Sequence, residues 1–265
     1  MTDVNILISD ALRGIERIGL DILSPVVMAE KESSELVSNL DLAIDEFLKQ
    51  ALPAIRPIPY ISEETIDGVQ SAEMEDIRDF WLVDPLDGTV NAVHGLQYFS
   101  TSVSLILDNR VEAAAVLNIP TGDIFSATRG GGLVKNGQRV TIRKNPSKII
   151  MATGFAHDKR LHALQIEVMR RVLPKIDDFR RLASPCLDLA FVAEGVLSGS
   201  FEFLKAWDFC AGSLFLDEVG LTHNQSGLFH LSELNRQHWF VCGTADMVCL
   251  VTNIYDEIRN DPCSA

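Results

Sequence analysis

The spacing of hydrophobic residues in the first part of the chain predicts two helices. Residues 4–22 carry aliphatic side chains at helical intervals, which is typical of an amphipathic helix. A second helix is expected over residues 41–51, because Ser38 or Asn39 can cap its start and Pro53 opposes its continuation.

Short apolar runs then predict a set of strands. Residues 58–62 and 80–84 both stop at acidic residues, and strand ends present such side chains to a crevice. Residues 100–147 have a β-like pattern with a hairpin at Asn136-Gly137, since both residue types tolerate positive φ. The three glycines at 130–132 lie between strands, so we interpret them as a turn and not as a phosphate loop.

The second part of the chain alternates between predicted strands and helices. Strands are expected near 149–153, 177–182, 200–204 and 239–242, and helices near 158–173, 184–195, 207–219 and after 244. This change of pattern predicts an N-terminal α+β half, residues 1–146, and a C-terminal α/β half, residues 147–265. The two halves are expected to pack as layers with a cleft between them and to form one functional unit.

Composition and charge exclude several classes of protein. The formal net charge of −14 argues against a surface that coats nucleic acid, because a polyanion is bound by clustered Lys and Arg. The five cysteines form no Cys-x-x-Cys pair, so buried free thiols are expected rather than zinc ligands or disulfides. No apolar run approaches the roughly 18 residues of a membrane span, and the start lacks the features of a signal peptide. We therefore expect a cytoplasmic protein.

The densest group of candidate catalytic residues is the segment at 84–89, Asp-Pro-Leu-Asp-Gly-Thr. Pro85 is expected to end the preceding strand, and Gly88 permits a tight turn. A short helix then opens at Thr89, and the N–H groups of a helix start bind phosphate readily. The two carboxylates would repel that phosphate unless divalent cations lay between them, and Mg²⁺ suits oxygen ligands. A capped turn with solvated acids is the alternative interpretation of this segment.

Four segments resemble the inositol monophosphatase family, a superfamily of lithium-sensitive, Mg²⁺-dependent phosphomonoesterases. Residues 81–91 are similar to its first signature, and residues 207–220 contain a segment similar to its second. Residues 61–65 resemble its Gly-Glu-Glu element, and residues 36–41 resemble a Leu-Val-Thr segment that ends in Asp. All four occur in the family's order across nearly the whole chain. The resemblance implies an α/β fold, a layered αβαβα sandwich of the sugar-phosphatase type with a large antiparallel sheet in its N-terminal half.

The same resemblance implies a centre with two or three Mg²⁺ ions. Glu63, Asp84 and the carbonyl of Leu86 would hold the first ion. Asp84, Asp87 and Asp208 would hold the second, so that Asp84 bridges the two. A third, weaker ion would lie near Glu63. Two metals in such a centre clamp the attacking and leaving oxygens of an in-line displacement.

The implied catalytic groups are Thr89, Asp41 and Glu63. The Thr89 hydroxyl, oriented by Asp41 with Glu63 nearby, would position and deprotonate a metal-activated water. The N–H groups of Gly88 and Thr89 would hold phosphate oxygens. Helix capping is an alternative role for both Asp41 and Asp208.

The segments implied to face the substrate depart from the family pattern. Residues 183–186 read Ala-Ser-Pro-Cys where the family commonly has Gly-Ser/Thr-Ala-Ala, so Pro185 lacks a backbone donor present in relatives. The chain is one residue shorter near Glu202, and Lys205 would add positive charge suited to a second phosphate unless it points to solvent. The expected substrate-binding residues are Asp87, Ser184, Pro185, Glu202 and Lys205.

The default substrate implied by the resemblance is inositol 1-phosphate. Fructose 1,6-bisphosphate, 3′-phosphoadenosine 5′-phosphate and histidinol phosphate are alternatives within the superfamily, and Lys205 favours a doubly phosphorylated compound. A non-catalytic member that binds metal or a protein partner is the alternative class, although the complete set of acids argues against it. Lithium inhibition and a homodimer are further implications of the resemblance.

Overall fold

The computed structural model of the chain describes residues 4–22, 28–30, 36–66, 77–142 and 148–260. Within these residues the chain forms seven α-helices: α1 (Val4–Ile22), α2 (Asn39–Ile55), α3 (Thr89–Val93), α4 (His162–Val172), α5 (Pro185–Glu194), α6 (Ala206–Val219) and α7 (Ala245–Asn260). The predicted helices are all confirmed, with α2 longer than expected. None of the helices in the described part of the chain is both long enough and apolar enough to cross a bilayer.

The strands form three sheets. A two-stranded sheet pairs β1 (Met28–Glu30) with β2 (Leu36–Ser38). A seven-stranded sheet runs in chain order and is antiparallel except between its first two strands: β3 (Tyr60–Ser62), β4 (Phe80–Asp87), β5 (Ser100–Leu107), β6 (Arg110–Asn118), β7 (Asp123–Thr128), β8 (Gly132–Lys135) and β9 (Gln138–Arg139). A mixed five-stranded sheet has the order β11-β10-β12-β14-β13: β10 (Ile150–Thr153), β11 (Asp178–Arg180), β12 (Gly199–Leu204), β13 (Thr222–His223) and β14 (His238–Gly243).

Three hydrophobic clusters stack these elements into five layers. The first cluster packs α1 and α2 against one face of the seven-stranded sheet, where Trp81 and Val103 lie. The second joins the opposite face of that sheet to α5, α6 and the five-stranded sheet, with Trp207 and Phe240 buried in it. The third packs the far face of the five-stranded sheet on α4 and α7. The predicted αβαβα sandwich is therefore confirmed.

Two prolines do not act as the sequence suggested. Pro53 was expected to end the second helix, but α2 continues to Ile55. A proline in the last turn removes only one hydrogen bond, and the Arg56 N–H still donates to Leu52 O at 3.1 Å. Pro85 was expected to end a strand at Asp84, yet β4 runs on to Asp87 through a register shift that tolerates the missing donor.

The glycine-rich turn has a structural partner. The Gly130 and Gly132 N–H groups donate to the two carboxylate oxygens of Glu218, each at 2.6 Å. This contact ties the β7–β8 turn to the end of α6 and confirms that the segment is a turn. The hairpin at Asn136-Gly137 is confirmed as well, with positive φ at both residues. The expected boundary between the halves, near residue 146, lies outside the described residues, so the division remains a prediction.

Candidate active site

Buried carboxyl groups converge at the end of the parallel strand pair β3–β4. Glu63 directly follows β3, and its N–H donates to Val83 O at 3.1 Å, which holds Glu63 beside the strand that carries Asp84. Asp84 is 2% exposed, and its buried Oδ1 has no hydrogen-bond partner among the described residues. Burial, followed by negative charge, raises the pKa of Asp84 well above its ordinary value. The charges come from four other predicted site residues: Glu63, Asp87, Asp208 and Asp41.

Asp87 is held by three donors on a single oxygen. Its Oδ2 accepts hydrogen bonds from the Ser184 hydroxyl at 2.6 Å, the Cys186 N–H at 2.8 Å and the Ser100 hydroxyl at 3.1 Å. Burial raises the pKa of Asp87 to about 6, although these hydrogen bonds oppose the shift. The bonds fix the orientation of the carboxylate before any ligand binds.

The Thr89 hydroxyl joins the first turn of α3 to the first turn of α2. It lies 3.0 Å from Asp41 Oδ1 and 2.9 Å from the Leu86 carbonyl oxygen, so its single proton can go to either acceptor. Asp41 Oδ2 accepts from both the N–H and the hydroxyl of Ser38, which is the N-cap of α2. Asp41 is therefore not the N-cap residue of α2 but returns a bond to it, and it also contacts Thr89, while its catalytic role remains a prediction.

Asp208 lies in the first turn of α6, two residues after its first residue. Its Oδ2 accepts the N–H of Lys205, the N-cap of the helix, at 2.8 Å. Asp208 is therefore not the N-cap residue itself but returns a bond to it. The Lys205 ammonium lies 5.0 Å from the centre of the Trp207 ring, within cation–π range.

A second group of acids lies next to this centre. Burial, then the charges of Asp188 and Asp208, raises the pKa of Glu202 well above its ordinary value. Asp188 accepts the Tyr98 hydroxyl at 2.7 Å, and burial raises its pKa to about 7. The Glu202 carboxylate lies against Gly154, where any Cβ would overlap it.

The structure shows why the fold tolerates proline at position 185, where this chain departs from the family pattern. Ser184 is the N-cap and Pro185 the first residue of α5, a position where a missing N–H costs no helical bond. The Ser184 side chain is fully buried and holds Asp87. Direct contact of Ser184 or Pro185 with a substrate remains a prediction.

Several residues that organise the site were not anticipated from the sequence. The Asn91 side-chain amide donates to Tyr98 O and Leu182 O, both at 2.7 Å, and so links α3 to the segment before α5. Ser100 contacts Asp87, and Gly154 contacts Glu202, although neither pair is adjacent in the sequence. No local sequence motif predicts such contacts. Asp188 is different, because an acid in the first turn of an apolar helix could have been recognised from the sequence as a candidate site residue.

A comparison with known protein families decides the family of this chain. The model of the inositol monophosphatase family matches residues 10–249. The chain belongs to the inositol monophosphatase family. Its predicted metal and phosphate segments all lie inside the matched range, as do the two sheets that position them.

Individual relatives of the family are similar across most of the chain. "Nus factor SuhB" of Pasteurella multocida is 32% identical over 240 residues, covering 88% of this chain and 85% of the relative. "Inositol-1-monophosphatase" of Rhizobium meliloti is 35% identical over 197 residues, covering 72% of each. The crystal structure of the extragenic suppressor protein suhB from Bartonella henselae is 26% identical with a TM-score of 0.78, covering 94% of this chain and 95% of that one.

Proposed function

We propose that this chain is a Mg²⁺-dependent phosphomonoesterase that hydrolyses a small polyol or sugar phosphate, with inositol 1-phosphate as the default substrate. The observation that carries the proposal is the environment of the buried Asp84. Its Oδ1 has no hydrogen-bond partner in the described structure, and the negative charges of four other carboxylates help to raise its pKa. Buried carboxylates at such density are costly unless a cation binds them.

The donor set fits a hard divalent cation. Its oxygens belong to carboxylates and one backbone carbonyl, which Mg²⁺ prefers. The residues that would hold the ions are Glu63, Asp84, Leu86, Asp87 and Asp208. Bound Mg²⁺ supplies positive charge that offsets these acids, polarises the phosphate ester and lowers the pKa of water.

In this proposal Thr89 and Asp41 handle the proton of the attacking water. When Thr89 donates its proton to Asp41 Oδ1, the lone pairs of its oxygen can accept a hydrogen bond from water. Burial raises the pKa of Asp41, which makes this carboxylate a better proton acceptor than an exposed one. Glu63 is the second candidate base in this proposal.

The phosphate is proposed to bind at the start of α3. Its first N–H groups have no acceptor within the helix, and positive φ at Gly88 turns the backbone into that start. A Cβ at Gly88 would meet Ala183 O and Tyr98 O, each at 3.1 Å. In this proposal the N–H groups of Gly88 and Thr89 bind phosphate oxygens, while Asp87 and Glu202 bind hydroxyls of the alcohol.

The test is an assay of metal-free protein on a panel of phosphomonoesters with and without added Mg²⁺. The panel contains inositol 1-phosphate, fructose 1,6-bisphosphate, 3′-phosphoadenosine 5′-phosphate and histidinol phosphate. We expect Mg²⁺-dependent turnover that falls about a thousandfold or more in Asp84→Asn, because a lost ligand removes several kcal/mol of stabilisation. Asp108→Asn is the control, since Asp108 is an exposed acid paired with Arg78. Failure to hydrolyse any phosphomonoester with Mg²⁺ would reject the proposal.

The name of one relative supports a second candidate function. A protein called a Nus factor is 32% identical to this chain, and its name does not describe a phosphatase, so a non-catalytic member that binds metal or a protein partner is the competing hypothesis. A folded protein that binds Mg²⁺ but turns over nothing in the panel would favour that role. Lithium inhibition, a homodimer and a cytoplasmic location stay predictions of the catalytic proposal.

A further inference from the structure

Cys186 brings a sulfur atom into the group of buried carboxylates. Its Sγ and one carboxylate oxygen each from Asp84 and Asp87 all lie within 4.8 Å of one another. The three residues are 0%, 2% and 6% exposed, respectively. Cys186 stands where the family commonly has Ala, so the sulfur belongs to this chain rather than to the family pattern.

Each of the three side chains has a donor atom that a cation could use. Asp84 Oδ1 is buried without a hydrogen-bond partner in the described structure. Asp87 accepts the hydrogen bonds of the Ser184 and Ser100 hydroxyls and the Cys186 N–H through Oδ2, and none of these three donors contacts Oδ1. The Cys186 thiol donates to the Asp208 carbonyl at 3.3 Å, and a cation would take the place of that proton.

A donor set of two carboxylates and one thiol differs in kind from the set that suits Mg²⁺. Magnesium binds oxygen and has little affinity for sulfur, whereas thiolate ligands favour zinc and other thiophilic ions. Zinc also accepts mixed oxygen and sulfur ligands, and three protein donors suffice for it when a water molecule takes the fourth position.

We propose that Asp84, Asp87 and Cys186 form a mixed carboxylate–thiolate site for a thiophilic divalent cation such as Zn²⁺ or Cd²⁺. On binding, the S–H bond breaks, its proton leaves to solvent and a sulfur–metal bond forms, with no change of oxidation state. The inference rests on the proposed function, because the site shares Asp84 and Asp87 with the Mg²⁺ centre. The thiophilic ion and Mg²⁺ therefore exclude one another at these residues.

The test is a titration of metal-free protein with Cd²⁺, followed by the ultraviolet charge-transfer band of a cadmium–thiolate bond. The wild-type protein should develop this band with one Cd²⁺ per chain. In Cys186→Ala the band should vanish, and the ratio of Cd²⁺ to Mg²⁺ affinity from calorimetry should fall at least about tenfold. Cys249→Ser, which removes the exposed free thiol, should keep both the band and the ratio.

A retained band or an unchanged affinity ratio in Cys186→Ala would overturn the inference. Should that variant fail to fold by circular dichroism, Cys186→Ser gives the same comparison with a side chain closer in size. X-ray absorption of the wild-type Cd²⁺ complex must also show a sulfur neighbour, and a shell of oxygen alone would overturn the inference without any variant. If Mg²⁺ binds but no cadmium–thiolate band develops, only this site is rejected. If neither Mg²⁺ nor Cd²⁺ binds, the proposed function is rejected as well.

Discussion

The Thr89 hydroxyl lies 3.0 Å from Asp41 Oδ1, which connects the helix start proposed to bind phosphate with the capped start of α2. The two residues are 48 positions apart in the chain. Because Ser38 holds the other oxygen of Asp41, the carboxylate cannot turn away from Thr89 without losing the hydrogen bonds from the Ser38 N–H and hydroxyl. The fold thus fixes a hydroxyl–carboxylate pair at the place where the attacking water is expected.

This pair makes the Thr89 hydroxyl testable by truncation. Thr89→Ala should lower kcat by about 10²–10⁴, the range for loss of a positioned proton-transfer group. Thr89→Ser keeps the hydroxyl and should remain within about tenfold of the wild type. Mg²⁺ affinity, measured by calorimetry, should be the same in both variants because the hydroxyl is not a proposed ligand. Equal kcat values for the Ala and Ser variants would refute the assigned role.

Ala183 occupies a backbone conformation that favours glycine. Its φ is +59°, which lies in the left-handed region. A left-handed conformation costs a non-glycine residue about 1–2 kcal/mol. Glycine avoids this cost but loses more conformational entropy on folding than alanine does, so the net gain in stability is smaller. We expect Ala183→Gly to raise the free energy of unfolding by about 0.5–1 kcal/mol in urea denaturation.

A matched control for this change is Asn109→Gly. Asn109 has a φ of 62°, but asparagine tolerates this region better than alanine does. Its replacement should therefore yield a smaller gain. If Ala183→Gly destabilised the protein, the positive φ of Ala183 would not be a source of strain.

The sequence predicted the acids of the site better than it predicted the contacts that orient them. Asp84, Asp87 and Asp208 follow apolar runs or open helices, and periodicity locates such positions. By contrast, the Ser100 hydroxyl reaches Asp87 only when β4 pairs with β5, and the Cys186 N–H reaches it only when α5 packs against the seven-stranded sheet. Helix and strand boundaries at prolines were wrong for a related reason, since packing and register shifts override a local preference.

Gly154 leaves the space in which the Glu202 carboxylate lies. Gly154→Ala should therefore displace Glu202 and raise KM for a polyol phosphate about tenfold, with a smaller effect on kcat. Glu202→Gln alone should raise KM to a similar extent, because one of the two oxygens proposed to accept a substrate hydroxyl becomes an amide donor. A double-mutant cycle tests whether the two changes act through one contact. Additive effects of the two substitutions on KM would contradict that link.

Asp188 should make the metal-free protein less stable as pH rises. Burial raises its pKa to about 7 in the folded state, against 3.8 as the ordinary value, so the folded protein binds the proton more tightly. The resulting stabilisation is fully present below about pH 4 and is lost as pH rises through about 7. Asp188→Asn keeps an acceptor for the Tyr98 hydroxyl but removes the charge.

Between pH 5 and pH 8 the wild type should therefore lose more unfolding free energy than Asp188→Asn does. The difference should be roughly 2–3 kcal/mol, because one pKa unit corresponds to ~1.4 kcal/mol. Urea denaturation in the presence of a chelator measures this difference. Asp45→Asn is the matched control, because Asp45 also accepts a tyrosine hydroxyl, that of Tyr60, at 2.7 Å. A similar change in pH dependence in the control would assign the effect to any carboxylate paired with a tyrosine hydroxyl and not to the burial of Asp188. Identical pH dependence of Asp188→Asn and the wild type would mean that Asp188 ionises in the folded protein as it does in the unfolded chain.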